Sequence, residues 1–205
     1  MRLDQLSLKY ESNGDPGAES NNAGDAGGES YGLYQFADNA GIPRQFINWL
    51  KAQGSPYAYL ADLSTGTPDF DAAWKEIAAK DPDGFSEAQY EFAKTLYYEP
   101  AVARAKLAFI NMEKHSEALG AVLWSAAVQY DSYYCTELFA DSATLLGYAD
   151  ASSLDDISFD EQLIKAIYQV RASDDWTTGS PDLRPGLRNR FINECQDALA
   201  LLAQK

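Results

Sequence analysis

Two carboxylates flank a glycine-rich stretch near the start of the chain: Glu11, directly after Tyr10, and Asp25, inside Gly24-Asp25-Ala26-Gly27-Gly28. A facing pair of carboxyl groups can do general acid–base work. One stays protonated and gives its proton to a leaving oxygen. The other, ionised, acts as nucleophile or activates a water, and together these are the requirements for breaking a glycosidic bond. The donor must hold its proton near neutral pH, which calls for a poorly solvated position. The C-terminal end of a helix suits it further, because the negative end of the helix dipole disfavours the ionised form. Ser30 lies five residues beyond Asp25, spaced to share a water with it. Glu19 and Glu29 compete with Asp25 for the second role. If a strand alternates through Ser30, Glu29 points away from Ser30, which ranks it below Asp25. An acidic glycine-rich loop is more often an ordinary solvated turn, so spacing alone leaves both readings standing.

The elements that would position these groups are legible in part. Leu3, Leu6, Leu8 and Tyr10 predict a short helix that carries Glu11 at its C-terminal end. Residues 11–32 hold six of the fourteen glycines together with Asn, Asp and Ser, a composition for a long loop or hairpin. Ser30 to Phe36 predicts a strand closing that hairpin. From about residue 38 the spacing turns helical: Ile42, Phe46, Trp49 and Leu50 share a face, as do Phe70, Trp74 and Ile77. Ser86-Glu87-Ala88-Gln89 has capping-box spacing ahead of Phe92 and Leu96, and Pro100 breaks or restarts that helix. Leu119, Val122, Leu123 and Ala126 mark a helix rich in small residues, the candidate for the central buried one. Ser158-Phe159-Asp160-Glu161 is a second capping box, opening a helix with Leu163, Ile167 and Val170. Phe191, Cys195, Ala198 and Leu202 mark the last helix. Loops fall around 64–68 and 178–186. The expected fold is mainly α: a small α/β lobe with a hairpin over residues 1–37, then a larger helical lobe over 38–205, as one catalytic domain.

At the first 36 residues a resemblance becomes specific. The run Tyr10-Glu11-Ser12-Asn13-Gly14, followed by Gly24-Asp25-Ala26-Gly27-Gly28-Glu29-Ser30-Tyr31-Gly32-Leu33-Tyr34-Gln35-Phe36, resembles the lysozyme superfamily. In that group a catalytic Glu ends a helix and a hairpin follows. Gly32-Leu33-Tyr34-Gln35 resembles the Gly-Leu-Met-Gln of goose-type lysozymes and lytic transglycosylases. The order Glu, Asp, Ser is similar to the Glu–Asp–Thr order of phage lysozymes and bacterial chitosanases. The similarity is greatest to phage- and secretion-associated peptidoglycan hydrolase domains. It extends more weakly to Trp124-Ser125-Ala126-Ala127-Val128-Gln129 and to Leu187-Arg188-Asn189-Arg190-Phe191. The chain departs from that pattern with Ala26-Gly27-Gly28 in place of Pro-Gly-Gly, and with Tyr130 after Gln129 where a His is common.

The resemblance implies roles for individual residues. Glu11 would be the general acid, Asp25 the base or electrostatic partner, and Ser30 the positioner of water. Tyr31, Tyr34 and Gln35 would line the cleft, one tyrosine holding a sugar ring and the other packing inward. Gln129 would contribute to substrate binding. No metal and no cofactor are implied. The partner would be the glycan strands of peptidoglycan, reached as part of a larger phage or secretion assembly.

Other features restrict the choice. The 205 residues are 46% hydrophobic, enough for one well-buried domain divided into the two expected lobes. No apolar run approaches the roughly 18 residues of a membrane span. The N-terminal segment is broken by charge and too short for a leader's apolar core. The expectation is therefore synthesis in the cytoplasm and action on the wall or periplasm after release or injection. A formal charge of −15 repels polyanions and argues against nucleic acid. The same charge would attract a polycation, so a chitosanase-like hydrolase stands as an alternative, beside a lytic transglycosylase and a non-catalytic wall-binding module. His115, the single histidine, reads as a surface or capping residue at a helix start. Cys135 and Cys195 read as packed, free thiols. Asn13-Gly14-Asp15-Pro16-Gly17 lacks the order of a calcium loop. Arg184, Arg188 and Arg190 form a basic cluster expected to pair with the protein's own acids.

Overall fold

The computed structural model describes residues 2–11, 14–20, 28–179 and 181–204, with the side chains of Tyr10, Glu11 and Pro181 also outside the description. Asp25 therefore lies outside the described residues, as does the carboxyl group of Glu11. The chain divides into two compact units, one of residues 8–95 and one of residues 1–7 and 96–205. The division falls at Thr95 instead of near residue 37. The helices after the hairpin pack with it, because their aromatic faces complete its core.

The first helix, α1 (Gln5–Glu11), ends at Glu11 as the periodicity predicts. Three two-residue strands, β1 (Glu19–Ser20), β2 (Ser30–Tyr31) and β3 (Phe36–Ala37), form an antiparallel sheet in that order. Ser20 pairs with Ser30, Glu19 and Phe36 with Tyr31, and Ala37 with Ser30. The stretch 30–36 is thus two strands and a turn, not one strand. Gly32 at φ 72° and Gln35 at φ 50° reverse the chain between them.

Helices α2 (Ile42–Ala52), α3 (Pro68–Lys80) and α4 (Pro82–Ala93) complete this unit. Thr67 caps α3 through its hydroxyl, and Pro68, Asp69 and Asp71 fill the first turn, where proline's missing N–H and the acids' charge are both favourable. Phe70, Trp74 and Ile77 are buried on one face as expected. Helix α4 starts five residues earlier than the Ser86 box predicts. Asp81 accepts from Gly84 N–H and Pro82 occupies the first turn, a stronger start signal than an interior serine. The core is aromatic: Tyr31, Phe46, Phe70 and Phe85 meet Trp74, and Phe36 and Phe92 pack on Phe46. Ring centroids are 4.7 Å apart for Trp74–Phe85 and 5.3 Å for Phe46–Phe92. Such pairs contribute about 0.5–1.5 kcal/mol each beyond their buried area.

A π-helical turn, Lys94–Tyr98, leads into α5 (Glu99–Leu107), and Pro100 sits in the new helix's first turn, so it restarts the helix. Helix α6 (Glu117–Tyr130) is the central one: every residue from Ala118 to Ala127 is buried. Helices α7 (Cys135–Leu145), α8 (Asp160–Arg171) and α9 (Arg184–Leu202) pack in the same unit. Ser158 does not cap α8. Asp156 takes the Ser158 N–H and hydroxyl in a preceding 3₁₀ turn, and the helix begins at Asp160. Both cysteines are free, Cys135 buried and Cys195 half-buried.

His115 is not a solvated residue. Its imidazole is fully buried, with Nδ1 2.6 Å from Asp160 and Nε2 3.4 Å from Asp155. Asp160 also accepts the Ser116 N–H at 2.7 Å, and Ser116 in turn caps α6 by accepting from Leu119. The exposed side chains of Lys114 and Glu117 suggested a wet neighbourhood; the carboxylates that enclose the imidazole come from forty residues further on and leave no local trace. The arginine cluster pairs internally, Arg184 and Arg188 with Asp174 and Arg190 with Glu194.

Candidate functional site

Glu11 is the last residue of α1, and the chain passes from it towards β1. Asp15 folds the connecting loop by accepting the Gly17 N–H. The loop is fixed from below. The carbonyl of Pro16 accepts from Trp74 Nε1 at 3.0 Å and from Gln89 Nε2 at 2.9 Å, both buried. The other end of the Gln89 amide accepts the Leu33 N–H at 2.8 Å. One side chain on α4 therefore holds the loop after Glu11 and the turn after β2 in register. Gly32 is required here: a Cβ would run into the Gln89 carboxamide and the Trp74 ring, and the positive φ disfavours any other residue.

The Gly32-Leu33-Tyr34-Gln35 segment is a packed turn. Leu33 and Tyr34 are buried, and Gln35 donates to Gly32 O at 3.1 Å while accepting from Ser20 Oγ at 2.7 Å. Tyr31 is fully buried against Phe70 and Trp74. Both tyrosines pack inward, which corrects the expectation that one of them lies open to a sugar face: the sheet is too small to cover this core, so its rings must. Ser30 is also buried, in β2; its expected partner Asp25 lies outside the described residues.

The competing acids are accounted for by one network. Tyr31 OH lies 3.0 Å from Glu29 and 2.8 Å from Asp71, and accepts the Gly66 N–H at 3.2 Å. Burial and the two carboxylates push the tyrosine's pKa well up. Glu19, with a side chain one-tenth exposed, pairs with Lys75 at 2.5 Å. Burial raises the Glu19 pKa against the opposing pull of Lys75. Among the described residues, Glu19, Glu29 and Asp71 form the group with metal-ligand spacing, their oxygens within 4.8 Å of one another. Lys75 and the Tyr31 hydroxyl already supply that group with a cation and a donor.

Gln129 belongs to the helical unit. Its carboxamide oxygen accepts from Arg171 at 2.7 Å, which leaves the amide N–H₂ as the part able to meet a ligand. Arg171 is fully buried and enclosed by the rings of Tyr130, Tyr168 and Phe191, at 5.6, 4.9 and 4.6 Å from its guanidinium carbon. Glu194, also fully buried, lies 3.8 Å from Arg171 and accepts from Ser125. Burial alone would lower the Arg171 pKa, but the facing Glu194 charge raises it.

Gln89 and the Arg171–Glu194 pair escape a reading of residue types alone. For Gln89 a signal does exist: it lies on the Phe85–Phe92 face, and a polar residue at an apolar position needs a buried partner.

The sequence family described as "Type VI secretion system spike protein VgrG3-like, C-terminal" matches residues 3–195. The chain is 33% identical over 129 residues to the Type VI secretion system spike protein VgrG3 of Vibrio cholerae serotype O1, covering 62% of this chain and 12% of that protein. The chain thus spans about an eighth of that relative's length. Among solved structures it is similar to the native chitosanase of Bacillus subtilis MY002, with a TM-score of 0.66 at 20% identity over 99% of this chain and 88% of that one. A mutant of that chitosanase complexed with 6 GlcN matches equally well. The shared fold is mainly helical and lysozyme-like. The match lies on the secretion side of the resemblance drawn from the sequence, and the phage or endolysin side finds no support in it.

Proposed function

The chain belongs to the VgrG3-like C-terminal family of Type VI secretion spike proteins, and from that premise we propose that it cleaves the glycan strands of bacterial peptidoglycan as a muramidase. The observation that carries this reading is the placement of Glu11 as the last residue of α1, leading into a small antiparallel sheet within a lysozyme-like fold. In the mechanism, Glu11 protonates the oxygen of the leaving sugar, aided by the negative end of α1. Asp25 activates the water or stabilises the anomeric charge, with Ser30 holding that water. The Gln89 clamp holds Pro16, in the loop after Glu11, and Leu33, in the turn after Ser30, on one amide. Delivery by a secretion spike takes the protein to the wall or periplasm of the cell it acts on.

The test is release of soluble fragments from purified sacculi by the wild type and by Glu11→Gln. General acid catalysis contributes about 10²–10⁴-fold, and a loss of that order with unchanged folding is expected. Near-normal turnover by the variant would remove Glu11 from the reaction. Product masses separate hydrolysis from lytic transglycosylation, since anhydro-sugar ends belong to the latter. A chitosanase-like activity is the second reading, favoured by the chitosanase fold and the charge of −15; chitosan as substrate in the same assay distinguishes it.

A further inference from the structure

The helical unit carries an open groove that the mechanism above does not use. Tyr130 at the end of α6, Tyr134, Glu137 and Asp141 around the start of α7, and Asp175 and Trp176 of the loop after α8 enclose about 450 Å³. A second hollow of about 550 Å³ shares Asp141, Asp175 and Trp176 and continues over Thr144, Leu145 and Ser173. Both volumes fall in the range of about 300–1,000 Å³ usual for small-ligand sites. Trp176 stands where the two meet. Its Nε1–H donates to Asp141 at 2.9 Å, and its ring meets Tyr130 near perpendicular at 5.1 Å and Tyr134 at 6.5 Å, so the indole is a fixed wall.

The charged side chains that line the two hollows have one sign. Glu137 and Asp141 are four residues apart on α7 and so share a helix face. Asp175 faces them from the loop. Glu137 and Asp175 are exposed, and among the described residues no cation pairs with either. Aromatic rings beside unneutralised carboxylates favour an ammonium, through ring quadrupole and charge-assisted hydrogen bonds together. A carboxylate or phosphate would be repelled, and an acetylated amine offers only a neutral N–H. Two adjoining hollows divided by one indole fit successive units of a chain better than a single small cation.

We propose that this groove binds a glycan segment whose amino sugars are un-acetylated and protonated, with glucosamine units on either side of Trp176. That the polymer is a glycan rests on the reading of the preceding subsection; the preference for an amine rests on the groove. The test is calorimetric titration of the Glu11→Gln protein with a glucosamine hexamer, an N-acetylglucosamine hexamer and hexalysine, at about pH 6, where an amine is ionised. The glucosamine hexamer should bind about tenfold or more tightly than either of the others. Glu137→Gln/Asp175→Asn, two exposed positions whose change leaves the melting temperature intact, should weaken it about tenfold. Asp62→Asn/Glu87→Gln, two exposed acids of the other unit, should leave it unchanged.

Equal affinity for the acetylated hexamer, no measurable binding, or wild-type affinity in the groove variant would each overturn the proposal. Hexalysine binding as tightly as the sugar would overturn the saccharide assignment. An equal loss in the control variant would show diffuse charge instead of a site. Cleavage products in the titrated Glu11→Gln sample would count against the role of Glu11 and not against the groove.

Discussion

In the sheet-bearing unit the most deeply buried polar side chain is Gln89, a neutral amide whose two ends satisfy two backbone groups. In the helical unit the corresponding places are taken by Arg171, Glu194 and Asp160, all fully buried and all charged types. The amide positions a turn and a loop; the charged groups position helices against one another, α6 against α8 and α9. An amide clamp is insensitive to pH and loses modest energy when cut. An ion pair inside an aromatic box is costly to desolvate and costly to break from one side. The clamp beside Glu11 thus does not vary with protonation, the titratable contacts of that unit being the Glu19–Lys75 pair and the carboxylates at the Tyr31 hydroxyl, while the fully buried charges lie in the other unit.

Breaking one side of the buried pair should give the largest effect. Arg171→Leu leaves the buried Glu194 with only Arg190 at 3.5 Å and the Ser125 hydroxyl, a loss of up to about 3–5 kcal/mol. At about 2–4 °C per kcal/mol this is a drop on the order of 10 °C in melting temperature. Arg171→Leu/Glu194→Leu should recover much of it; a double variant no more stable than the single would show that the pair, not the orphaned charge, is what matters. Next comes the clamp: Gln89→Ala orphans the Leu33 N–H and leaves a void, costing about 2–4 kcal/mol. Its activity on sacculi should fall with it, measured at a temperature where the variant is still folded. Retained activity would mean that the 32–35 turn does not position the reacting groups.

Acid should move the two units in opposite directions. Asp160 is fully buried and Asp155 partly so, which alone would raise their pKa values, but hydrogen bonds from Lys114, His115 and backbone N–H groups hold both below the ordinary carboxylate value. Their contribution to stability is present above about pH 3.9 and is lost as the pH falls through the lower folded values. Glu19 is raised, so its contribution is present below its unfolded pKa of about 4.3 and is lost as the pH rises through the folded value. Any melting-temperature advantage of Glu19→Gln at neutral pH should therefore shrink towards pH 4, while the deficit of Asp160→Asn should shrink only below it. Parallel curves for the two variants would refute the contrast. The smallest effect is expected for Tyr31→Phe, which removes the hydroxyl shared by Glu29, Asp71 and Gly66 at a cost of about 1 kcal/mol, read as a melting shift of a few degrees.

The sequence by itself determined what depends on neighbours along the chain. Leucine spacing ends α1 at Glu11, Thr67-Pro68 starts α3, Pro100 restarts a helix, and an uncharged run rich in small residues from Ala118 to Tyr130 makes α6 the central helix. Each follows from backbone geometry and a period of 3.6, which act within a few residues. Tertiary structure decided what depends on partners far away in sequence. His115 became interior because Asp155 and Asp160 enclose it, and Tyr31 and Tyr34 became core because three strands of two residues each cannot cover Trp74 and Phe36. Gln89 acquired its role only when a loop at Pro16 and a turn at Leu33 met on one amide. A buried polar group needs its partner in space, and distance in space is what a linear pattern does not encode.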